Sequence, residues 1–111
     1  MAVLQILKMG HPLLRKKAKK VQSFDKIMDL ISNMQDTLKY IGASGLAAPQ
    51  VMVSKRVIVY RVNKNRIPKN AQFESKPWTF MINPVIIPLT KEKKMFWERC
   101  LSLPGLHAKV P

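Results

Sequence analysis

Acidic side chains are scarce in this chain. Six Asp and Glu face twenty Lys and Arg across 111 residues, giving a formal charge of +14. That excess predicts attraction to polyanions, meaning nucleic acid, the ribosome or an anionic membrane. Aromatic residues make up only 7%, and few sit among the basic ones, which weakens any single-strand stacking platform. The basic residues are spread out except for Arg15-Lys16-Lys17 with Lys19-Lys20, and for Lys91, Lys93 and Lys94. Solvated basic faces beside something anionic, such as the ribosome surface, are expected, with no specific nucleic acid as partner. There is one cysteine, Cys100, so an intramolecular disulfide is excluded and a reducing cytoplasm is the expected home. Long apolar runs are missing too. The longest candidate, residues 78–89, is broken by Asn83, Pro84 and Pro88, and a membrane span needs roughly 18 apolar residues. No basic residue precedes the apolar stretch of residues 1–7, and Lys8 follows at once; this does not read as a secretory signal. No membrane partner is expected.

What is present suits one small domain. The hydrophobic fraction is 47%, enough for a core, although a chain of this length has little stability to spare. Ile27, Met28, Leu30, Ile31, Met34 and Leu38 recur at helical spacing and predict a helix over residues 24–40. Ser23 is its expected N-cap and Asp25 suits its first turn. Gly42, and then Gly45, should end it. Val57-Ile58-Val59-Tyr60 reads as a strand. Residues 63–76, with Pro68, read as a loop. Residues 78–82 and 85–87 read as strand pieces interrupted at Asn83-Pro84, and Lys91 to Lys94 as a charged turn. Met95-Phe96-Trp97 enters another strand, Pro104-Gly105 turns out of it, and residues 106–110 begin a last one. The implied class is α+β, one N-terminal helix with short, mainly antiparallel strands.

Two segments carry chemistry. In Gly42-Ala43-Ser44-Gly45-Leu46-Ala47-Ala48-Pro49-Gln50, small residues let backbone approach a ligand, and the Gln50 amide can both donate and accept. Donors of that kind accelerate carbonyl hydrolysis when aimed at a developing oxyanion. Composition alone favours a tight turn with a surface glutamine. The second segment is Glu98-Arg99-Cys100-Leu101-Ser102-Leu103-Pro104-Gly105. Cys100 could be a metal thiolate, a nucleophile or a buried small hydrophobe, and taken alone the last is most frequent. Catalytic zinc-type sites use about three protein ligands. The only histidines are His11 and His107; neither forms a recognisable ligand pair with Cys100, and no His-Glu-x-x-His occurs. A Cys100–His107 dyad stays open, but its spacing specifies nothing.

Together these segments resemble the peptide deformylases. Gly45-Leu46-Ala47-Ala48-Pro49-Gln50 is similar to the family's first signature and Glu98-x-Cys100-Leu101-Ser102 to its second. The opening Ile6-Leu7-x-x-Gly10-x-Pro12-x-Leu14-Arg15-x-x-Ala18, the pair Met34-x-x-Thr37 and Asn83-Pro84 also match. The resemblance implies hydrolysis of the formyl group of N-formylmethionyl peptides at the start of new polypeptides. It further implies a divalent metal, Fe²⁺ with Zn²⁺, Ni²⁺ or Co²⁺ as alternatives, held by one cysteine and two histidines of a downstream His-Glu-x-x-His helix. By that match Cys100 is the metal thiolate, and Gln50 with the Leu101 N–H receives the oxyanion. Gly45 meets the substrate backbone. Ser44, Phe96 and Glu98 lie along the methionine pocket, and His107 stands where many members carry a peptide-contacting arginine. Ala43 and Arg99 replace family glycines. The third signature is missing, so residues 1–111 are expected to be a single, truncated domain with an incomplete deformylase fold, not holding metal tightly and inactive alone. The competing readings are a small basic ribosome- or RNA-binding protein and an inert family remnant.

Overall fold

The computed structural model describes residues 2–24, 26–67, 69 and 74–111. An apolar stripe builds its first element. Ile27, Ile31, Met34 and Leu38, spaced four, three and four apart, are all buried on one face of α1 (Ile27–Ile41). Met28 stands one step round from that stripe and is 54% exposed, so it is not the core residue its spacing suggested. The helix also starts later than residue 24. Lys26, with no side-chain cap bond, occupies the N-cap in place of Ser23. The physical reason is that the anchoring stripe begins only at Ile27, while Phe24 is left 60% exposed. Asp25 lies outside the described residues; Asp29 is the acidic residue of the first turn, where it complements the positive helix end. Gly42 closes the helix as expected, at φ 78°, with its N–H on the Leu38 carbonyl at 2.8 Å.

The chain then enters β1 (Gly45–Ala47), a strand the sequence did not announce because it is three residues long. β2 (Val57–Val62) and β3 (Lys76–Ile82) follow. The three form an antiparallel sheet in the order β1-β2-β3. In β2 the burial alternates, Val57 and Val59 facing inward, and these pack with Leu46 and Ile82 against the α1 stripe. β4 (Phe96–Arg99) and β5 (His107–Val110) make a separate antiparallel hairpin. The α+β class with antiparallel pairing is as expected. Of the expected loop at 63–76, residues 64–66 form a 3₁₀ turn and residue 76 starts β3; Pro68 lies outside the described residues.

Residues 2–9 form an extended arm fastened to the rest by polar groups. Asn33 Oδ1 accepts the Ala2 N–H at 2.9 Å, and buried Thr37 Oγ1 accepts that of Leu4 at 2.8 Å. Farther along, the Leu7 N–H donates to the Gln50 carbonyl at 2.7 Å and the Met9 N–H to that of Ser102 at 2.8 Å. The arm thereby ties together the two segments singled out for chemistry.

Residues 85–87 are not a strand. Asn83 takes φ 55°, which turns the chain out of the sheet, and Pro84 brings no N–H to a ladder. Val85, Ile86 and Ile87 are consequently 76%, 90% and 76% exposed. Asn83 does more than turn. Its Oδ1 accepts the Val21 N–H at 2.8 Å, its Nδ2 donates to the Val21 carbonyl at 3.0 Å, and its own N–H reaches the Arg56 carbonyl at 2.9 Å. Asn83→Ala removes both side-chain bonds and strains a left-handed position. It is expected to speed hydrogen exchange of the Lys19 and Arg56 amides about ten- to hundred-fold, equivalent to roughly 1–3 kcal/mol. Unchanged exchange at both would show that this segment is held without Asn83.

Candidate active site

Three elements meet at one groove of about 720 Å³: the exit of α1, the 3₁₀ turn Ala48–Val51, and the turn that joins β4 to β5. Pro49 fixes the backbone of the short turn, and Met52 ends it at φ 69°. This turn presents Gln50, whose own carbonyl is held by the Leu7 N–H.

The Gln50 carboxamide is fixed at both ends. Its Oε1 accepts the Ala47 N–H at 3.0 Å. A backbone N–H can only donate, so the oxygen faces Ala47 and the amino group faces the groove. There Nε2 donates to Ser102 Oγ at 3.2 Å and to Cys100 Sγ at 3.5 Å. Cys100 is exposed, so the buried-hydrophobe reading fails. Ser102 is buried, 6% exposed. Leu101 lines the groove, and among the described residues no hydrogen bond occupies its N–H. An amide thus rests on one sulfur beside open space, and the Leu101 backbone follows in the same groove lining.

The sequence-derived residues separate into two groups. Ser44, Gly45, Gln50, Cys100, Leu101 and His107 line the groove together. Phe96 and Glu98 sit on β4, exposed, and are not part of that lining. His107 is paired with Arg99 across the β4–β5 hairpin. A methyl group added at Gly45 would meet Tyr60 Cβ at 3.7 Å and the Val59 carbonyl at 3.8 Å, ordinary contacts. Packing therefore does not demand glycine at 45. Ser102 had been given no role from sequence. Spacing gave no signal for it, because residues 100–103 form a turn closed by the Leu103 N–H on the Cys100 carbonyl at 2.9 Å; only its place in the second motif pointed there.

β1 is an edge of its sheet and borders the groove. Edge strands take extended peptides by backbone pairing. The residues present do not by themselves fit a catalytic metal. Among the described residues no three His, Cys, Asp or Glu converge, and His11 Nδ1 accepts the Leu13 N–H at 3.2 Å in its own turn. One thiolate falls short of a three-ligand set, so no chemical step is derived through a metal. Among the described residues no helix is long and apolar enough to cross a membrane.

Known proteins are similar to this chain in sequence and fold. The family model for polypeptide deformylase matches residues 3–111. A peptide deformylase of Nitrosomonas europaea is 42% identical over 108 residues, covering 96% of this chain and 60% of that protein. One from Prochlorococcus marinus is 43% identical over 112 residues, covering 99% and 58%. Among solved structures, the Ehrlichia chaffeensis peptide deformylase in complex with actinonin superposes with a TM-score of 0.86 at 31% identity, covering 99% of this chain and 63% of that one. The chain spans about 60% of the length of the curated relatives it matches. With its signatures on one groove and its whole described fold matched, the chain belongs to the polypeptide deformylase family.

Proposed function

We propose that residues 1–111 supply the oxyanion-binding and peptide-binding part of a site that hydrolyses the formyl group from N-formylmethionyl peptides. The observation that carries this reading is the Gln50 amide fixed between Ala47 and Ser102 with Nε2 on Cys100 Sγ. In the reaction, water adds to the formyl carbon and its carbonyl oxygen takes up negative charge. The C–N bond then breaks, formate leaves, and the peptide amine carries away a proton. Gln50 Nε2 and the Leu101 N–H are the two donors for that oxygen. Both are positioned before substrate arrives, which spares reorganisation at the transition state. Gly45 on β1 pairs with the peptide backbone, and Ser44 and His107 contact the peptide. Phe96 and Glu98, outside the groove as lined, are assigned to its methionine end.

The family is metal-dependent. Cys100 is proposed as one thiolate ligand, with Fe²⁺ as the metal and Zn²⁺, Ni²⁺ or Co²⁺ as substitutes. The remaining ligands and the general base are assigned to a His-Glu-x-x-His segment outside these residues. The proposed setting is the cytoplasm, with the +14 charge holding the protein near the ribosome.

The test joins residues 1–111 to the part of the Nitrosomonas europaea relative beyond its match, and measures formate release from formyl-Met-Ala-Ser with added Fe²⁺, Ni²⁺ or Co²⁺. The chimera is expected to turn over, and residues 1–111 alone are not. A folded, metal-loaded chimera that releases no formate would overturn the reading. Turnover by residues 1–111 alone would instead reveal ligands within them.

A further inference from the structure

The fold gathers basic residues that are far apart in sequence. Lys19 and Lys55 form an isolated parallel bridge. It is held by Lys19 N–H on the Ser54 carbonyl and Arg56 N–H on the Lys19 carbonyl, both at 2.9 Å. Two residues farther on, Asn83 clamps Val21 through both its side-chain atoms. Lys17, Lys19, Lys20 and Lys55 are all exposed, and among the described residues none has an ion-pair partner. Arg56 adds its charge with its guanidinium on the Pro84 carbonyl.

Placing like charges side by side on bridged backbone costs stability. Here two lysines face each other across such a bridge, and a bidentate asparagine keeps their segment in place. Surface lysines without a function separate easily, because flexible stems and open chain let them drift apart. A rigid frame that holds them together offers its charge to something outside the protein. From this placement we propose that Lys17, Lys19, Lys20 and Lys55 form a docking surface for the phosphate backbone of structured RNA. This deepens the ribosome part of the proposed function and is independent of the hydrolysis.

Charge and shape favour RNA over a membrane. A membrane-surface segment carries apolar side chains that insert between lipids. In this segment the apolar side chains turn inward, with Val21 buried and Ala18 half-buried. What remains outward within residues 15–23 is cationic or polar; the exposed apolar neighbours Phe24 and Met52 lie outside that segment, and the vesicle arm of the test decides whether they matter. Recognition would be independent of base sequence, since no aromatic residue lies between Arg15 and Ser23 to stack on a base.

The probe is a fluorescein-labelled RNA hairpin of mixed sequence, with binding to the chimera that completes residues 1–111 followed by anisotropy from about 50 to about 200 mM salt. Each engaged phosphate adds about −0.9 to the log–log slope. The variant Lys17→Gln/Lys19→Gln/Lys55→Gln is compared with Lys91→Gln/Lys93→Gln/Lys94→Gln, which removes the same charge elsewhere. The first is expected to flatten the slope by about 3 and to weaken binding on the order of ten- to hundred-fold, and the second to change little. Lys17→Gln/Lys20→Gln leaves the bridge untouched, and should flatten the slope by about 2 with an unchanged circular dichroism spectrum. Equal weakening by both triple variants would reduce the effect to net charge and overturn the proposal. So would binding to phosphatidylserine vesicles, lost in the same variants, with no binding to the hairpin. None of these outcomes bears on formate release.

Discussion

In the chimera that completes the site, Gln50→Ala is expected to lower kcat on the order of 10²–10³-fold, the usual effect of removing one oxyanion donor. The size follows from how the amide is held. Ala47 fixes its oxygen and Ser102 takes one N–H, while the second N–H rests at 3.5 Å on Cys100 Sγ at the groove and is the one that turns to the oxyanion. KM should change little, because the donor strengthens its bond only as charge develops. Ser102→Ala keeps Gln50 but removes one of the three hydrogen bonds of its side chain. The net value of such a bond is about 0.5–1.5 kcal/mol, so a loss of a few-fold is expected. Cys100→Ala should act differently, by lowering the divalent metal retained after gel filtration, measured directly by elemental analysis, and with it turnover. Full turnover in Gln50→Ala would remove Gln50 from the mechanism. Unchanged metal content in Cys100→Ala would remove Cys100 from the ligand set.

How far the sequence could be read depended on whether the determining contact was local. The α1 stripe was legible because helical spacing and burial are one property, and Gly42 because a left-handed cap needs glycine. Met28 was misread since it lies next to a stripe residue in sequence but one step off the buried face. β1 escaped because so short a strand holds its shape through its partner β2, whereas the tight turn expected before Gln50 is present at Ala48–Val51, held by the Leu7 arm. At the site, Gln50 and Cys100 were found through the ordered motifs, and geometry then joined them. Their link across fifty residues, and the buried hydroxyl of Ser102 that completes it, follow from tertiary packing alone. The Lys19–Lys55 bridge belongs with them: the basic run was visible, and its neighbour was not.

The other large effect concerns the stability of residues 1–111 by themselves. Every residue of β4 is exposed, Phe96 at 62% and Trp97 at 70%, and Leu106 beyond it at 61%. With Val85, Ile86, Ile87 and Leu89, the last at 98%, these leave much large apolar surface in water. A contiguous exposed patch of several hundred Å² is a marker of a missing partner. Each such side chain forgoes roughly 1.5–3 kcal/mol of burial, against a net stability of about 5–15 kcal/mol for an ordinary domain. Three or four of them are enough to bring the fold close to marginality. The β4–β5 hairpin is the weakest part, because two strands without a covering layer are barely stable in water. Residues 1–111 are therefore expected to bind a hydrophobic dye, to self-associate and to melt without a sharp transition. Hydrogen exchange should rank the molecule, with α1 and β2 slowest and the hairpin amides close to unprotected rates. Joining the downstream segment of the relative should abolish dye binding and sharpen the melt, because the same side chains then become interior. A monomer of residues 1–111 with a cooperative melt, no dye binding and a protected hairpin would show that this face is at equilibrium with water and needs no cover.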